Sequence, residues 1–234
     1  MRRLMGWAAD LLFPPRCALC GEVLAVKDCA EGLCKACREE IPFFPEDKCP
    51  RCGGKTDTGG FCEACLRPFA FESACAAFPY ERVRTAIHLF KYRGGKGFGE
   101  WLGRLAAEYL RQTHTELLSG VDVMIPVPLH PKKERRRGFN QTILLCRAVS
   151  AETALPLCER GLLRRKDTTP QSLLSPAERK ENLRGVFVVN ADVAGKRVLL
   201  VDDIFTSGAT CGECARALYR AGAESVRVFC FAAA

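Results

Sequence analysis

The sequence predicts an α/β protein built on a parallel sheet, preceded by a small module that binds metal through cysteines. Three observations lead to this fold class. Of the 15 cysteines in the 234-residue chain, ten fall at or before Cys75. From Val121 onward, short apolar runs alternate with amphipathic segments. Continuous apolar runs such as VLLV at 198–201 are typical of strands buried on both faces of a parallel sheet.

We expect two domains, a double zinc-ribbon-like module at residues 1–70 and an α/β domain at residues 71–234. The hydrophobic content of 48% is sufficient for a real core. The net charge of +8 favours an anionic partner, which could be nucleic acid, a polyphosphate-bearing metabolite or a membrane surface. Charge alone does not choose among these partners.

The first residues, MRRLMGWAADLLFPP, do not have the form of a signal peptide. Asp10 interrupts the apolar run, and no small-residue cleavage site precedes the cysteines. No transmembrane segment is expected, because no run approaches the roughly 18 apolar residues that a membrane span requires. We therefore expect a cytoplasmic protein, whose reduced thiolates are available for zinc.

Four CxxC pairs in the N-terminal part are the predicted metal ligands. Two pairs complete the tetrahedral geometry that zinc prefers, and four thiolates per site indicate closed, structural zinc. Sequential pairing of the CxxC motifs gives loops of zinc-ribbon length and is favoured, although an interleaved cross-brace remains an alternative. The eight predicted ligands of the two zinc sites are Cys17, Cys20, Cys34, Cys37, Cys49, Cys52, Cys62 and Cys65.

The remaining cysteines are expected to be buried packing residues. Cys211 and Cys214 form a fifth CxxC, but no partner pair lies near them in the sequence. A thioredoxin-like redox role is the alternative for this pair, and no other element of that motif surrounds it. The same packing role is expected for Cys29, Cys75, Cys146, Cys158 and Cys230.

The segment VLLVDDIFTSGAT at 198–210 is the predicted ligand site of the larger domain. Ligands of open α/β sheets bind beyond the carboxyl ends of the strands. Gly208 permits close backbone approach, and a helix dipole with nearby hydroxyls favours a phosphate. Asp202 and Asp203 would repel that phosphate unless they hold ribose hydroxyls and Mg²⁺. The alternative is that both acids cap the helix or face solvent.

This segment resembles the signature of type I phosphoribosyltransferases, which binds phosphoribosyl pyrophosphate (PRPP). Further motifs resemble the ComF family of competence-related proteins: FPPRCALC at 13–20, IPVPL at 125–129, RRRGFNQ at 135–141 and RKDTTPQSLLSPAERKENLRGVF at 165–187. The resemblance covers nearly the whole chain. It implies the Rossmann-like parallel sheet of a type I phosphoribosyltransferase with an N-terminal four-cysteine zinc-binding module.

The resemblance also implies site residues. Asp202, Asp203 and Arg137 are the predicted catalytic residues. Arg137 lies in a basic cluster that could be a solvated charge run, but anion binding is favoured for it because it precedes Gly138 and the Asn140-Gln141 pair at a helix start. Segment 160–184 corresponds to a loop that covers PRPP, and Arg164, Thr169, Gln171, Arg179 and Asn182 carry the family pattern there. The implied PRPP-binding residues are Thr206, Ser207, Gly208, Ala209, Thr210, Pro128, Leu129, Arg164 and Gln171.

These features lead to one main functional hypothesis and two alternatives. The main hypothesis is PRPP and Mg²⁺ binding in support of DNA uptake and natural transformation, with transfer of the phosphoribosyl group to an unidentified acceptor. The alternatives are a non-catalytic protein that binds single-stranded DNA and a PRPP-sensing regulator. Proteins of the DNA-uptake machinery are expected partners. The basic, glycine-rich stretch at 90–100 is interpreted as a flexible loop that either contacts nucleic acid or links two helices.

Overall fold

A parallel four-stranded sheet forms the centre of the molecule in the computed structural model. The structure describes residues 14–17, 19–29, 33–40, 43, 48–49, 52, 54–55, 62–66, 70–93, 96–165 and 185–234. The strands lie in the order β1-β6-β5-β2, so the chain crosses over between neighbouring strands. They are β1 (Ser73–Pro79), β2 (Val123–Pro126), β5 (Arg197–Phe205) and β6 (Ser225–Ala233).

A two-stranded antiparallel hairpin, β3 (Leu162–Arg164) and β4 (Phe187–Val189), lies beyond the sheet. The chain at 156–158 leads into it alongside β2: Met124 donates to the carbonyl of Pro156 (2.8 Å), and Cys158 donates to the carbonyl of Met124 (2.9 Å). In the four-stranded sheet, β5 lies in the interior, between β6 and β2.

Helices cover both faces of the sheet, as the continuous apolar strands predict. Leu199 and Val201 of β5 belong to one core cluster with residues of the helices that follow β1 and β2, whereas Val198 and Leu200 belong to a second cluster with the helix that follows β5. The helices are α1 (Lys35–Glu39), α2 (Tyr80–Arg93), α3 (Lys96–Thr113), α4 (Thr115–Leu118), α5 (Pro131–Arg137), α6 (Gln141–Thr153) and α7 (Ala209–Arg220).

Helices α3 and α6, both on the same face of the sheet, pack closely against each other. A Cβ added to Gly103 of α3 would lie 2.4 Å from the Cβ of Ala148 in α6, so only glycine permits this approach. Leu102 and Leu110 of α3 are buried in the same cluster as Leu145 of α6. The packing of α3 on α6 holds α6 against this face of the sheet.

Of the two interpretations of the glycine-rich stretch at 90–100, the structure supports a link between two helices, but helices include more of the stretch than expected. Helix α2 runs to Arg93 and α3 begins at Lys96, so helices include all of the described residues of this stretch. Gly97 and Gly99 lie in the first turn of α3, and the burial of Leu102 supplies packing energy that outweighs their low helix propensity.

The cysteine-rich part packs against the same sheet. Cys17, Leu24 and Leu33 belong to the core cluster on the α6 face, and Phe43 stacks on Phe78 of β1 with ring centroids 5.3 Å apart. Two short 3₁₀ turns, Val26–Asp28 and Glu63–Leu66, accompany α1 in this part. Within the part of the chain that the structure describes, no helix is both long and apolar enough to span a membrane.

Candidate functional site

The eight cysteines of the four CxxC pairs form two clusters. One consists of Cys17, Cys20, Cys34 and Cys37, and the other of Cys49, Cys52, Cys62 and Cys65, with the sulfurs of each cluster within 4.8 Å of one another. The sulfurs of Cys20 and Cys34 are 3.7 Å apart, close to the roughly 3.8 Å that a tetrahedral zinc with bonds of about 2.3 Å requires. The donor set therefore fits structural zinc, and the pairing is sequential.

The two clusters are built on the same local structure. An antiparallel bridge flanks the first CxxC of each cluster, between Arg16 and Val23 in one and between Lys48 and Lys55 in the other. The second CxxC of each cluster lies at a helical turn, α1 in one and the 3₁₀ turn Glu63–Leu66 in the other. The arrangement repeats because a CxxC knuckle places two sulfurs on one side of a tight turn.

The pKa values of the clustered thiols indicate why four thiolates in one cluster need a cation. Burial raises the pKa of Cys17, but backbone amides of Cys20, Cys34 and Leu19 lower it to about 6. Burial raises the pKa of Cys52 to about 12, and burial together with the neighbouring thiols raises that of Cys65 above its ordinary range. A bound zinc ion would supply the charge that keeps four thiolates together.

Cys29 was expected to be buried, and this prediction is wrong. It is exposed, and its thiol donates to the carbonyl of Ala25 at 3.4 Å, one turn earlier in the chain. Cys158 is half-buried, against the expectation of full burial. The other cysteines outside the two clusters are buried as predicted, and they are Cys75, Cys146, Cys211, Cys214 and Cys230.

The second candidate site lies where β2 and β5 end side by side. The amide of Val127 donates to the carbonyl of Val201 at 2.7 Å, so the chain leaving β2 starts next to the acidic residues of β5. Strand β5 continues to Phe205, so Asp202 and Asp203 lie within the strand rather than after it, where the sequence had placed them. Successive side chains of a strand point to opposite faces, which separates the two carboxylates.

Asp203 is held on the α6 face of the sheet. The amide group of Gln141, the first residue of α6, donates to Asp203 Oδ2 at 2.7 Å, and Arg137 donates to Gln141 Oε1. Gln141 is 3% exposed, so its side-chain amide is fixed between a guanidinium and a carboxylate. This chain of hydrogen bonds joins two of the predicted catalytic residues, Arg137 and Asp203, through a residue that was not predicted to be part of the site.

The position of Gln141 follows from the cap of α6. Asn140 accepts a hydrogen bond from the amide of Thr142 at 3.0 Å, and its own side-chain amide donates to the carbonyl of Val127 at 3.3 Å. Asparagine is a preferred N-cap residue, and this one also fastens the helix to the chain leaving β2. Gly138, with φ of 84°, ends α5 and reverses the chain into the cap.

Asp202 lies on the α7 face, where Cys211 contacts it. The sulfur of Cys211 is 3.8 Å from Asp202 Oδ2. A hydrogen bond with Cys230 lowers the pKa of Cys211, but burial and the charges of Asp202 and Asp203 raise it, and the net pKa lies above its ordinary value. Cys211 therefore remains a neutral thiol that donates to the carboxylate of Asp202. The sequence analysis expected Cys211 to be a packing or redox residue and did not predict this contact.

The turn from β5 into α7 forms an open N-terminal helix end. Gly208 is the N-cap residue with φ of 70°, a left-handed conformation that favours glycine, and no side chain caps the helix. The first amides of a helix have no partner within it and carry the positive end of the dipole. Thr206 and Ser207 are exposed beside this end. Amides, hydroxyls and dipole together suit a phosphate group.

Three of the other predicted PRPP-binding residues lie together at a cleft reached by the chain leaving β2. Pro128, Leu129 and Arg164 line this cleft, to which no residue of β5 or α7 contributes. Residues 162–164 of the predicted covering loop form β3. The remaining predicted residues of that loop, Thr169, Gln171, Arg179 and Asn182, are outside the described residues.

Glu213 of α7 was missed by the sequence analysis. It is 3% exposed and accepts hydrogen bonds from the amide of Gly185 at 2.9 Å and from Arg216 at 2.8 Å. Burial raises the pKa of Glu213, but these two donors and Arg220 lower it below its ordinary value overall. Glu213 thereby fastens the start of the chain leading into β4 to the helix that carries the phosphate-binding turn.

The donor set at the sheet edge suits magnesium bound together with a substrate. Mg²⁺ in nucleotide sites is held by one or two carboxylates, by waters and by substrate phosphates. Asp202 and Asp203 provide two such carboxylates at one end of β5. Among the described residues, the only groups of three or more potential ligands are the two cysteine clusters, so a magnesium ion here would need the phosphates of its substrate.

Comparison with known families gives the class of this protein. The double zinc ribbon domain matches residues 8–66, and the phosphoribosyl transferase domain matches residues 149–234. The protein is thus a double zinc ribbon joined to a phosphoribosyltransferase domain. Purine phosphoribosyltransferase from Pyrococcus horikoshii Ot3 is 19% identical, with a TM-score of 0.33, over 56% of this chain and 71% of that one.

Relatives that align over most of this chain give the family. DNA utilization protein YhgH of Shigella flexneri is 33% identical over 94% of this chain and 97% of that protein. Competence protein F of Haemophilus influenzae is 31% identical over 85% of this chain and 89% of that protein. Competence protein ComFC of Streptococcus pneumoniae is 25% identical over 92% and 98%. The chain belongs to the ComF family, which confirms the resemblance carried by its motifs.

Proposed function

We propose that this protein binds PRPP with Mg²⁺ at the carboxyl ends of β2 and β5 and serves in the utilisation of DNA taken up by the cell. One observation carries the PRPP proposal. The chain of hydrogen bonds from Arg137 through Gln141 to Asp203 lies at the same end of β5 as the uncapped N-terminus of α7. A cation, a carboxylate and an anion site on one strand end are what a sugar phosphate with a pyrophosphate group requires.

Each part of PRPP has a matching part of the site. The 5′-phosphate would bind the amides and hydroxyls of 206–210 at the start of α7. The ribose hydroxyls would lie across the end of β5, where Asp202 and Asp203 would contact them from the two faces of the sheet. Gln141 and Cys211 position these two carboxylates, each by one hydrogen bond. Mg²⁺ would neutralise the pyrophosphate and the carboxylates that face it.

The reaction that such a site fits is substitution at the anomeric carbon. The bond from C1 to the pyrophosphate oxygen breaks, a bond from C1 to the acceptor forms, and pyrophosphate leaves with the bonding electrons. Positive charge develops on the ribose ring in the transition state, so the carboxylates beside it would stabilise that state electrostatically. Arg137 would oppose the negative charge of the leaving pyrophosphate.

The role in DNA utilisation is supported by the relatives. Proteins named for DNA utilisation and for competence align with this chain over most of their length. The net charge of +8 suits a protein that acts near nucleic acid. The relatives and the net charge support a role in DNA utilisation. The PRPP site supports a particular reaction within that role.

Isothermal titration calorimetry with PRPP tests the site. We expect Mg²⁺-dependent binding by the natural protein and at least roughly a hundredfold weaker binding by Asp203→Asn, a loss of about 2.7 kcal/mol. Asp192→Asn is the matched control, because Asp192 lies in the turn before the opposite end of β5. It should bind PRPP as the natural protein does.

A pyrophosphate-release assay on the same protein decides between a transferase and a sensor. Release of pyrophosphate from the bound PRPP in the presence of nucleobases or DNA would show transfer, whereas binding without release would show a sensor. If the natural protein binds no PRPP with Mg²⁺, or if both aspartate variants bind it equally, the proposed site is wrong.

A further inference from the structure

A polar cluster joins the cysteine-rich part of the chain to α3. Its members are Lys48, which directly precedes the zinc ligand Cys49, together with Tyr109 near the end of α3, His114 and Glu116. The ammonium group of Lys48 donates to the hydroxyl of Tyr109 and lies 2.8 Å from Nε2 of His114. Residues from both parts of the chain therefore meet in one hydrogen-bonded group.

This cluster lies near the amino ends of the strands. The guanidinium of Arg227, the third residue of β6, donates to the carbonyl oxygens of Glu116 and Ser119 at 2.7 Å each. Asp202 and Asp203 lie toward the carboxyl end of β5, which is parallel to β6. The cluster is therefore at the opposite end of the sheet from the proposed PRPP site.

The cluster is enclosed by aromatic packing. Tyr109 is 4% exposed, and the side chain of His114 is 17% exposed. The ring of Phe43 stacks on that of Tyr109 with centroids 4.9 Å apart, and Nζ of Lys48 lies 4.6 Å from the centroid of the same ring. Because Phe43 and Lys48 both belong to the cysteine-rich part, Tyr109 is a position at which α3 holds that part.

The geometry fixes where His114 carries its hydrogen. An ammonium group has only donors, so Nε2 of His114 must accept from Lys48. Nδ1 lies 2.9 Å from Oε1 of Glu116, a carboxylate oxygen that can only accept, so the hydrogen is on Nδ1. The hydroxyl of Tyr109 lies 3.3 Å from the same Nε2. His114 is thus a neutral imidazole with an Nδ1–H group.

We propose that His114 is a proton-sensitive clasp, which holds Lys48 and the adjoining zinc cluster on α3 while it is neutral and releases them when it is protonated. A second proton would bind at Nε2 and place an N–H donor against the ammonium group of Lys48. The hydrogen bond of 2.8 Å would then become a contact between two cations. Bulk water screens such repulsion less at a largely buried position than at the surface.

The charged and titratable groups that surround His114 among the described residues favour its neutral form. Burial raises the pKa of Tyr109 and that of Cys75, so both remain neutral. Burial lowers the pKa of His114, the hydrogen bond with Glu116 raises it, and the charge of Lys48 lowers it further. The side chain of Glu116 is 71% exposed and therefore well screened, and the pKa of His114 lies below its ordinary value of 6.5.

The clasp should accordingly be closed at neutral pH and weaken in acid. In the open contact His114 takes up a proton near its ordinary pKa of 6.5, whereas in the closed contact it does so only at lower pH. The stabilisation is complete above 6.5 and is lost as pH falls below it. For one proton, the ratio of closed to open contacts changes by at most about tenfold between pH 7.5 and pH 5.5.

Nuclear magnetic resonance of the full chain tests the positions of the protons. The chain contains three histidines, so selective ¹⁵N labelling of histidine gives few ring signals, and those of His114 are absent from His114→Gln. We expect the Nδ1–H form at pH 7.5 and a titration midpoint below 6.5. An Nε2–H form at pH 7.5, or a midpoint at or above 6.5, would overturn the proposal.

Hydrogen exchange followed by mass spectrometry tests the opening itself. Protection is expressed relative to the intrinsic exchange rate at each pH, for peptides that contain Lys48 and for peptides that contain His114. From pH 7.5 to pH 5.5 it should fall about three- to tenfold in the natural protein. His114→Gln should show no such fall, because a glutamine amide can accept from Lys48 and donate to Glu116 but does not titrate.

His88→Gln is the matched control, because His88 is an exposed histidine of α2. It should keep the pH dependence of the natural protein. Loss of zinc in acid would lower the protection of all three proteins alike, so the difference between the natural protein and His114→Gln reports the clasp alone. An equal fall in these two proteins, or no fall in the natural protein, would contradict the clasp, and neither result depends on PRPP.

Discussion

The two cysteine clusters and the carboxyl edge of the sheet are organised in different ways. In the clusters, every ligand comes from a CxxC pair, and the two pairs of each cluster follow one another in the sequence. At the sheet edge, the contact that orients Asp203 comes from Gln141, 62 residues earlier. The first region depends on local spacing and a metal, and the second depends on the packing of helices that are distant in sequence.

The two regions should therefore differ in their sensitivity to substitution. Among the described residues of the cysteine-rich part, the large buried apolar side chains are only Leu24 and Leu33. The binding energy of zinc, about 10–16 kcal/mol in small domains, therefore becomes folding energy. The sheet edge is surrounded by buried strands and helices on both faces, and single side-chain contacts there contribute about 1–3 kcal/mol each. Substitutions should therefore have large effects in the first region and graded effects in the second.

Loss of one zinc ligand should produce the largest effect. Cys49→Ser removes a thiolate whose side chain is 1% exposed, and we expect the purified protein to hold one zinc ion instead of two by elemental analysis. Cys29→Ser is the matched control because Cys29 is exposed and outside both clusters. Retention of two zinc ions by Cys49→Ser, or loss of zinc by Cys29→Ser, would contradict the assignment of the clusters.

Removal of the buried carboxylate of Glu213 should produce a middle-sized effect. We expect Glu213→Ala to lower the free energy of unfolding by about 2 kcal/mol at pH 7, because Gly185 and Arg216 lose a charged acceptor. Glu108→Ala, at an exposed position in α3, should change it by less than about 0.5 kcal/mol. Chemical denaturation measures both values, and zinc content should stay at two.

The effect of Glu213 should also depend on pH. Its pKa in the folded protein lies below the ordinary value of 4.5, so the unfolded chain takes up a proton at a higher pH than the folded protein does. The stabilisation is complete above that ordinary value and is lost as pH falls through the lower folded pKa. The difference between Glu213→Ala and the natural protein should therefore shrink below about pH 4, and a constant difference would contradict the ionised state.

Removal of the link between Arg137 and Asp203 should produce the smallest effect. Gln141→Leu keeps a side chain of similar length but loses both hydrogen bonds, and we expect PRPP to bind about tenfold more weakly, or about 1.4 kcal/mol. Gln112→Leu, an exposed glutamine of α3, is the control. Equal affinities of the two variants in calorimetry would show that Gln141 does not position the site.

The same comparison explains how far the sequence could predict the structure. The spacing of cysteines predicted all eight clustered ligands and favoured the sequential pairing, because a CxxC knuckle is a local structure. The apolar run at 198–201 and the turn at Gly208 likewise predicted a buried strand followed by a helix. These signals lie within a few residues of the features that they specify.

The parts that were missed depend on contacts between distant elements. Nothing near Gln141 in the sequence shows that α3 and α6 pack together and bring it to Asp203. Cys211 was assigned to packing because no partner CxxC pair lies near it in the sequence. Its contact with Asp202 becomes visible only once the end of β5 is known. The Asn140-Gln141 pair after Gly138 was the one available signal, since a capped helix start beside a ligand loop is a common position for binding residues.

The most direct test of the PRPP site is a crystal structure with PRPP and Mg²⁺. The account predicts that the 5′-phosphate binds the backbone amides of residues 206–210 at the start of α7, with the ribose hydroxyls next to Asp202 and Asp203. A phosphate or pyrophosphate bound instead in the cleft lined by Pro128 and Arg164, with the helix start left without ligand, would contradict it.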